Sequence, residues 1–249
     1  MILEVLQTRK HRNQKSLAVL VDPDKVANHS SLAALVQLCN DHGVDFIFVG
    51  GSLLIKDSLS ETIALIKSNT QIPVVLFPGS NLHIDKSADA ILLLSLISGR
   101  NPELLIGQHV AAAPVLKNSP LEVLPTGYIL VGNNANTTVA HISQTFPIPT
   151  HKSDIAMCTA MAGEFLGMKI IYLDAGSGAI DCVPSAMIAD VTKSISVPLI
   201  VGGGIDTEKK ARQAYLSGAD LLVLGTAVEE KMDFVQTVAE VRDELNIHQ

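Results

Sequence analysis

Three glycine-rich stretches, each directly after an apolar run, carry the residue types that hold phosphate. In the first, Ile170-Ile171-Tyr172-Leu173 ends in a carboxylate, Asp174, followed by Ala175, Gly176, Ser177 and Gly178. The other two are Gly202-Gly203-Gly204 after Leu199-Ile200-Val201, and Gly225-Thr226 after Leu221-Leu222-Val223-Leu224. Without a Cβ, glycine lets backbone N–H groups approach an anion, and a following helix N-terminus adds partial positive charge. Any one of these glycines would equally serve a tight turn. Asp174 is the general-base candidate: an apolar strand end raises its pKa by desolvation, and nearby amides oppose that. Tyr172 faces the same side by strand alternation and could bond a ligand hydroxyl or phosphate.

Two further polar residues end apolar runs. Asp22 closes Ser16–Val21, and Ser52 closes Phe46-Ile47-Phe48-Val49-Gly50-Gly51. A strand-end carboxylate suits Mg²⁺, a hard ion that takes one or two carboxylates plus substrate phosphates and water. Asp22-Pro23 is equally a turn starter. Ser52 could be a hydroxyl ligand or the cap of the next helix.

These residues need a frame that gathers them. Eight short apolar strands are predicted, at 16–21, 46–49, 74–77, 90–94, 128–131, 170–173, 198–201 and 221–224. Helices are expected over 1–12, from Ser30 or Ser31 to His42, over 58–67, 102–116, 153–166 and 185–195, from an Asp206 cap to Leu216, and over 229–245. Such alternation gives a parallel sheet with right-handed crossovers. Eight units in 249 residues favour a single (β/α)8 TIM barrel domain over 1–249, since ~250 residues is typical of that fold. The link between the third and fourth strands is too short for a full helix, so a loop or single turn is expected there. In a barrel all strand C-termini lie on one face, and glycines after strands seven and eight form the usual phosphate site.

Composition narrows the function. Hydrophobic residues make up 47% and charged residues 17%, enough for a large core. A net charge of −7 argues against general nucleic-acid binding. Cys39, Cys158 and Cys182 match no zinc spacing and read as reduced thiols of a cytoplasmic protein. No signal peptide is apparent at the N-terminus, and the longest apolar stretch, Ala90–Ile97, falls far short of the ~20 residues of a spanning helix.

Together, Tyr172-Leu-Asp-Ala-Gly-Ser-Gly-Ala179, Val201-Gly-Gly-Gly-Ile205, Gly218-Ala-Asp-Leu-Leu-Val-Leu-Gly-Thr226, Phe48-Val-Gly-Gly-Ser52 and Val21-Asp-Pro-Asp-Lys25 resemble the geranylgeranylglyceryl phosphate synthase family. The likeness spans nearly the whole chain. It implies a barrel lacking the third helix, and transfer of a long isoprenoid from its diphosphate to the C3 hydroxyl of sn-glycerol 1-phosphate. By the resemblance, Tyr172, Leu173, Asp174, Ala175, Gly176, Ser177, Gly178, Gly203, Gly204, Gly225 and Thr226 hold glycerol phosphate, and Asp22 and Ser52 hold Mg²⁺. The family more often carries Glu at the position of Asp174. The shorter reach here favours hydroxyl positioning over direct proton abstraction. Leu96, Gly99 and Leu105 are candidates for the floor of the prenyl groove, and helix 102–116 for a contact in a homo-oligomer. Transient contact with a membrane surface is also expected. Two other readings use the same phosphate cradle. A phosphosugar isomerase or lyase would need paired acid/base groups or a Schiff-base lysine, and no lysine sits within a strand core. The other is a non-catalytic prenyl-lipid binding protein.

Overall fold

The computed structural model describes residues 1–133 and 137–247. Eight parallel strands close into a barrel in sequence order: β1 Ser16–Val21, β2 Phe46–Gly51, β3 Val74–Pro78, β4 Ala90–Leu96, β5 Glu122–Leu130, β6 Ile170–Asp174, β7 Leu199–Gly202 and β8 Leu221–Leu224. The helices are α1 Ile2–His11, α2 His29–Asp41, α3 Leu59–Asn69, α4 Gln108–Lys117, α5 Thr138–Ser143, α6 Ser153–Phe165, α7 Ser185–Ser194, α8 Glu208–Leu216, α9 Thr226–Glu230 and α10 Phe234–Ile247.

Strand alternation divides the core in two. Phe46, Phe48, Leu124, Tyr128, Ile170, Tyr172 and Ile200 point into the barrel. Ile47, Val49, Ile171, Leu173 and Val201 point outward and pack with the helices. This two-sided burial is why the strands read as unbroken apolar runs. Ile2 and Leu6 of α1 join the inner cluster and stopper the barrel foot. Glu122 anchors that helix by accepting the N–H groups of Ile2 and Leu3 at 2.6 and 3.0 Å, where a helix N-terminus favours an anion.

A recurring aspartate secures the foot. Asp45, Asp89 and Asp220 each directly precede, or nearly precede, a strand. Each accepts the N–H of a residue on the preceding strand or at its start: Leu17, Val74 and Leu199, all at 2.8 Å. Arg9 and Arg242 pair with Asp45, and Lys10 with Asp220 at 2.9 Å. Conserving closure at the foot leaves the opposite rim to the loops.

Several expected boundaries shift. β5 starts at Glu122 and runs through Pro125, whose missing N–H argues against a strand by sequence. Its carbonyl nevertheless accepts Lys169 N–H at 2.8 Å. The cap of α2 is Asn28, which accepts Ser31 N–H at 2.8 Å, in place of Ser30 or Ser31. Thr207, not Asp206, caps α8; Asp206 pairs with Lys210 at 2.8 Å. The last helix is two, α9 and α10, and α5 is an additional one. The helix expected from Pro102 begins as a π turn, Glu103–Gly107, before α4. Asn134, in the Gly132-Asn133-Asn134 stretch that follows the predicted fifth strand in sequence, lies outside the described residues.

Residues 79–89 contain no helix, and all of them are described. There the barrel wall is thin. β3 and β4 pair only through Val75↔Ala90 and Leu76↔Ile91, whereas β4 and β5 stay in register from Ala90↔Glu122 to Leu96↔Tyr128. The uncovered flank becomes a cleft.

Candidate active site

β6 delivers Tyr172 and Asp174 to the same side of the sheet, two residues apart. Asp174 is 7% exposed. Its Oδ1 accepts Gly176 N–H at 2.8 Å, and its Oδ2 accepts the hydroxyl of Tyr128 from β5. Burial pushes the carboxyl above its ordinary value, while these two hydrogen bonds pull it down. Burial also raises Tyr128 and Tyr172 well above the usual phenol value, so both are neutral donors. The Tyr172 hydroxyl occupies the space where a Cβ on Gly202 would sit, 2.4 Å away.

The glycine loops close around this carboxylate. Gly203 has φ +79°, and a Cβ there would lie 2.7 Å from both Asp174 Oδ1 and Gly176 N. Gly204, at φ +67°, abuts the Asp181 carbonyl in the same way. Ser177 Oγ lies 3.3 Å from Thr226 Oγ1, joining the loops after β6 and β8. Among the described residues, the amides of Ser177, Gly178, Gly203, Gly204 and Thr226 make no hydrogen bond. They are uncommitted donors on loops after three neighbouring strands, the kind of group that suits an anion.

The amides of Ala175 and Gly176 do not belong to that set. Ala175 N–H is bound to Gly202 O at 3.0 Å, and Gly176 N–H to Asp174. The Leu173 side chain is fully buried on the outer face, and Ala175 packs there too. Neither offers a side chain to the rim. Gly225, partly exposed, sits next to the free amide of Thr226.

Asp22 and Ser52 end the adjacent strands β1 and β2. Asp22 starts a 3-10 turn, Pro23–Lys25, with Oδ1 accepting Asp24 N–H at 3.0 Å. So the turn reading is realised, but with one oxygen only. Oδ2 lies 3.8 Å from Lys25 Nζ, whose close partner is Glu229 at 2.8 Å. Gly51 leaves the carboxylate uncovered, since a Cβ there would sit 3.6 Å from Oδ2. Burial raises the Asp22 pKa. Ser52 caps nothing: α3 starts only at Leu59, and its N-cap is Ser58. One carboxylate oxygen and a hydroxyl on neighbouring strand ends are a hard-donor set that fits Mg²⁺ completed by substrate oxygens and water. Among the described residues no group of three or more His, Cys, Asp or Glu side chains forms a self-sufficient metal site.

The cleft runs from Ser52 along the thin β3–β4 seam to α4, with ≈ 860 Å³ between its walls, part of it open to solvent. Phe77, Leu92, Leu94, Leu96, Leu104 and Leu116 line it. Leu96 is thus in the wall, but Leu105 and Gly99 are not; Gly99 backs onto Thr145. The cleft also carries polar groups: Gln108 Oε1 accepts Asn81 N–H at 3.1 Å, and His109 Nε2 lies 3.2 Å from Ser95 Oγ behind the wall, with burial lowering the His109 pKa. Tyr128 also lines the cleft, and with Phe77 and Tyr172 it forms a cluster with ring centroids 5.4 to 6.2 Å apart. Neither Tyr128 nor Phe77 was expected in the site. The signal was present in the repeated pattern Tyr128-Ile-Leu and Tyr172-Leu-Asp, which pair in register.

The site therefore belongs to a parallel α/β barrel whose rim joins uncommitted backbone amides, through Tyr128, to a largely apolar cleft. A family model described as the PcrB family matches residues 8–242, and the chain belongs to that family. It is 52% identical over 244 residues to the geranylgeranylglyceryl phosphate synthase of Spirosoma linguale, covering 98% of each chain. Its identity to the enzyme of that name from Thermococcus kodakarensis is 42% over 238 residues, 95% of this chain and 93% of the other. Among solved structures, the (S)-3-O-geranylgeranylglyceryl phosphate synthase of Thermoplasma acidophilum in complex with sn-glycerol-1-phosphate superposes with a TM-score of 0.91 at 31% identity, covering 99% of both chains. A thiamine phosphate pyrophosphorylase from Pyrococcus furiosus, at 14% identity and TM-score 0.59 over 94% of this chain and 98% of that one, shares the fold alone.

Proposed function

We propose that this protein is a prenyltransferase that joins a long-chain isoprenoid, such as the geranylgeranyl group, from its diphosphate to the C3 hydroxyl of sn-glycerol 1-phosphate. The products are an ether and diphosphate. The observation that carries this reading is the junction: Tyr128 lines the apolar cleft and also donates to Asp174 beside the amide cradle. A phosphorylated alcohol and an apolar donor would meet there.

The free amides of Ser177, Gly178, Gly203, Gly204 and Thr226 hold the phosphate, and Tyr172 holds a hydroxyl. This fixes the C3 oxygen toward the cleft, converting a bimolecular encounter into a positioned one. The C3 oxygen attacks the allylic carbon as the bond to diphosphate breaks. Asp174 orients that hydroxyl by accepting its hydrogen bond, and the proton leaves with the departing diphosphate. Phe77, Tyr128 and Tyr172 exclude water, and a ring face among them would stabilise the carbon where positive charge develops. Asp22 and Ser52 would hold Mg²⁺, which when bound supplies charge neutralisation for the departing diphosphate.

Three partner readings accompany this one. The enzyme works in the cytoplasm on donor taken up through transient contact with a membrane surface. It self-associates through α4, whose Val110 and Val115 are 67% and 43% exposed. Light scattering of Val110→Asp tests the association. The activity is tested by incubating the protein with labelled sn-glycerol 1-phosphate, geranylgeranyl diphosphate and Mg²⁺. An ether-linked product is expected. Binding without product, or turnover of a sugar phosphate instead, would overturn the assignment.

A further inference from the structure

Large apolar side chains crowd the open side of the cleft. Leu53 and Ile55 follow Ser52 out of β2 and are 51% and 84% exposed. Leu82, 85% exposed, sits between the cleft-lining residues Asn81 and Ile84. Ile142 is part of the wall yet 46% exposed, and Phe146, shortly after it, is 85% exposed. Packing of the barrel requires none of these exposures. Scattered singly they would need no explanation. Here they come from three strand-end connections, each either lining the cleft or within three residues of one that does.

We propose that this rim is a bilayer-docking surface, with Leu82 and Phe146 as its inserting side chains. The proposal rests on the reading of the cleft as the isoprenoid site. A long isoprenoid diphosphate and its ether product are both amphiphiles that partition into membranes. A mostly apolar cleft that opens beside exposed apolar side chains lets the chain pass between bilayer and enzyme with little exposure to water. Charge indicates the manner of docking. The chain carries a net −7, and the rim's Lys56 is already committed to the Asp24 carbonyl at 3.0 Å, so attraction to anionic lipid contributes little. Docking is therefore by apolar insertion and resists salt.

Flotation with neutral phosphatidylcholine vesicles, with and without phosphatidylserine, reads the interaction directly. The wild-type protein is expected to float with both, at low and high salt. Leu82→Asp with Phe146→Asp should lower co-flotation about ten-fold, as expected when two inserting side chains become charged. The same variant should lose turnover of vesicle-borne geranylgeranyl diphosphate but keep turnover of soluble geranyl diphosphate within about two-fold, because neither residue lines the cleft. Wild-type protein that turns over donor without floating would overturn the proposal, as would a variant that floats normally. A variant altered in mass by light scattering but not in flotation would assign the rim to a second copy of the chain. Failure of both donors to react would instead sink the prenyltransferase reading and leave the flotation result standing.

Discussion

The hydroxyl of Tyr128 on β5 donates to Asp174 at the end of β6, and the same ring forms part of the cleft wall. One side chain thus touches both halves of the site. Replacing it with Phe keeps the wall and removes only the donor. Because that hydrogen bond holds the Asp174 pKa down, its loss moves the carboxyl higher. The acid limb of the pH–rate profile of Tyr128→Phe should shift upward, and kcat should fall about 10-fold, less than the ~10²-fold or more that a direct acid–base group supplies, with the KM for glycerol phosphate little changed. An unshifted acid limb would remove Tyr128 from this role.

Asp174→Asn separates function from stability. A carboxyl whose folded pKa is raised is most favourable to folding below its unfolded value, and that contribution is lost as pH rises through the folded value. At neutral pH its ionised form is a burden on the fold. The amide should therefore leave Tm at pH 7 equal or higher, while kcat drops by about 10²-fold or more. Thermal melts across a pH series that starts in the ordinary carboxylate range check the sign: the stability gain of the amide should grow as pH rises through the folded value.

Asp22→Ala should abolish transfer at any Mg²⁺ concentration and leave the circular dichroism spectrum unchanged. The lost turn cap costs about 1 kcal/mol, visible as a small fall in Tm. Chelation of the wild-type protein should give the same loss of activity, reversible on adding Mg²⁺. Full activity of the alanine variant would take Asp22 out of the reaction.

Gly203→Ala tests the cradle. The new methyl meets Asp174 Oδ1 and Gly176 N at 2.7 Å, on a backbone at φ +79°. The left-handed conformation alone costs about 1–2 kcal/mol. The KM for glycerol phosphate should rise more than that for the prenyl donor, read by varying each substrate in turn. Gly178→Ala is the contrast: a Cβ there meets nothing within 4 Å, so only the φ of +73° is penalised.

The architecture was largely readable from sequence because both faces of each strand are buried, which leaves apolar runs such as Phe46–Val49, too short for a helix and made of aromatic and β-branched residues. The short link after Phe77 announced the missing helix. Asp22, Ser52, Asp174 and the glycines share the barrel rim because closure requires it. What escaped were relations between strands. The Tyr128–Asp174 bond depends on register, and no single segment encodes it. Pro125 concealed the first half of β5, and the free or occupied state of each amide, as at Gly176 against Gly178, appears only once the loops are folded. Asp206 and Thr207 are both good caps, and the choice between them turned on Lys210 taking the aspartate.

The gap between β3 and β4 changes how a long hydrocarbon can be accommodated. A chain pointed end-on into the barrel would meet the packed inner cluster of Phe46, Phe48, Tyr128 and Tyr172 at once, whatever its length. One laid sideways through the missing panel has no such stopper, so the measure of tail length passes from the barrel to whatever stands along α4.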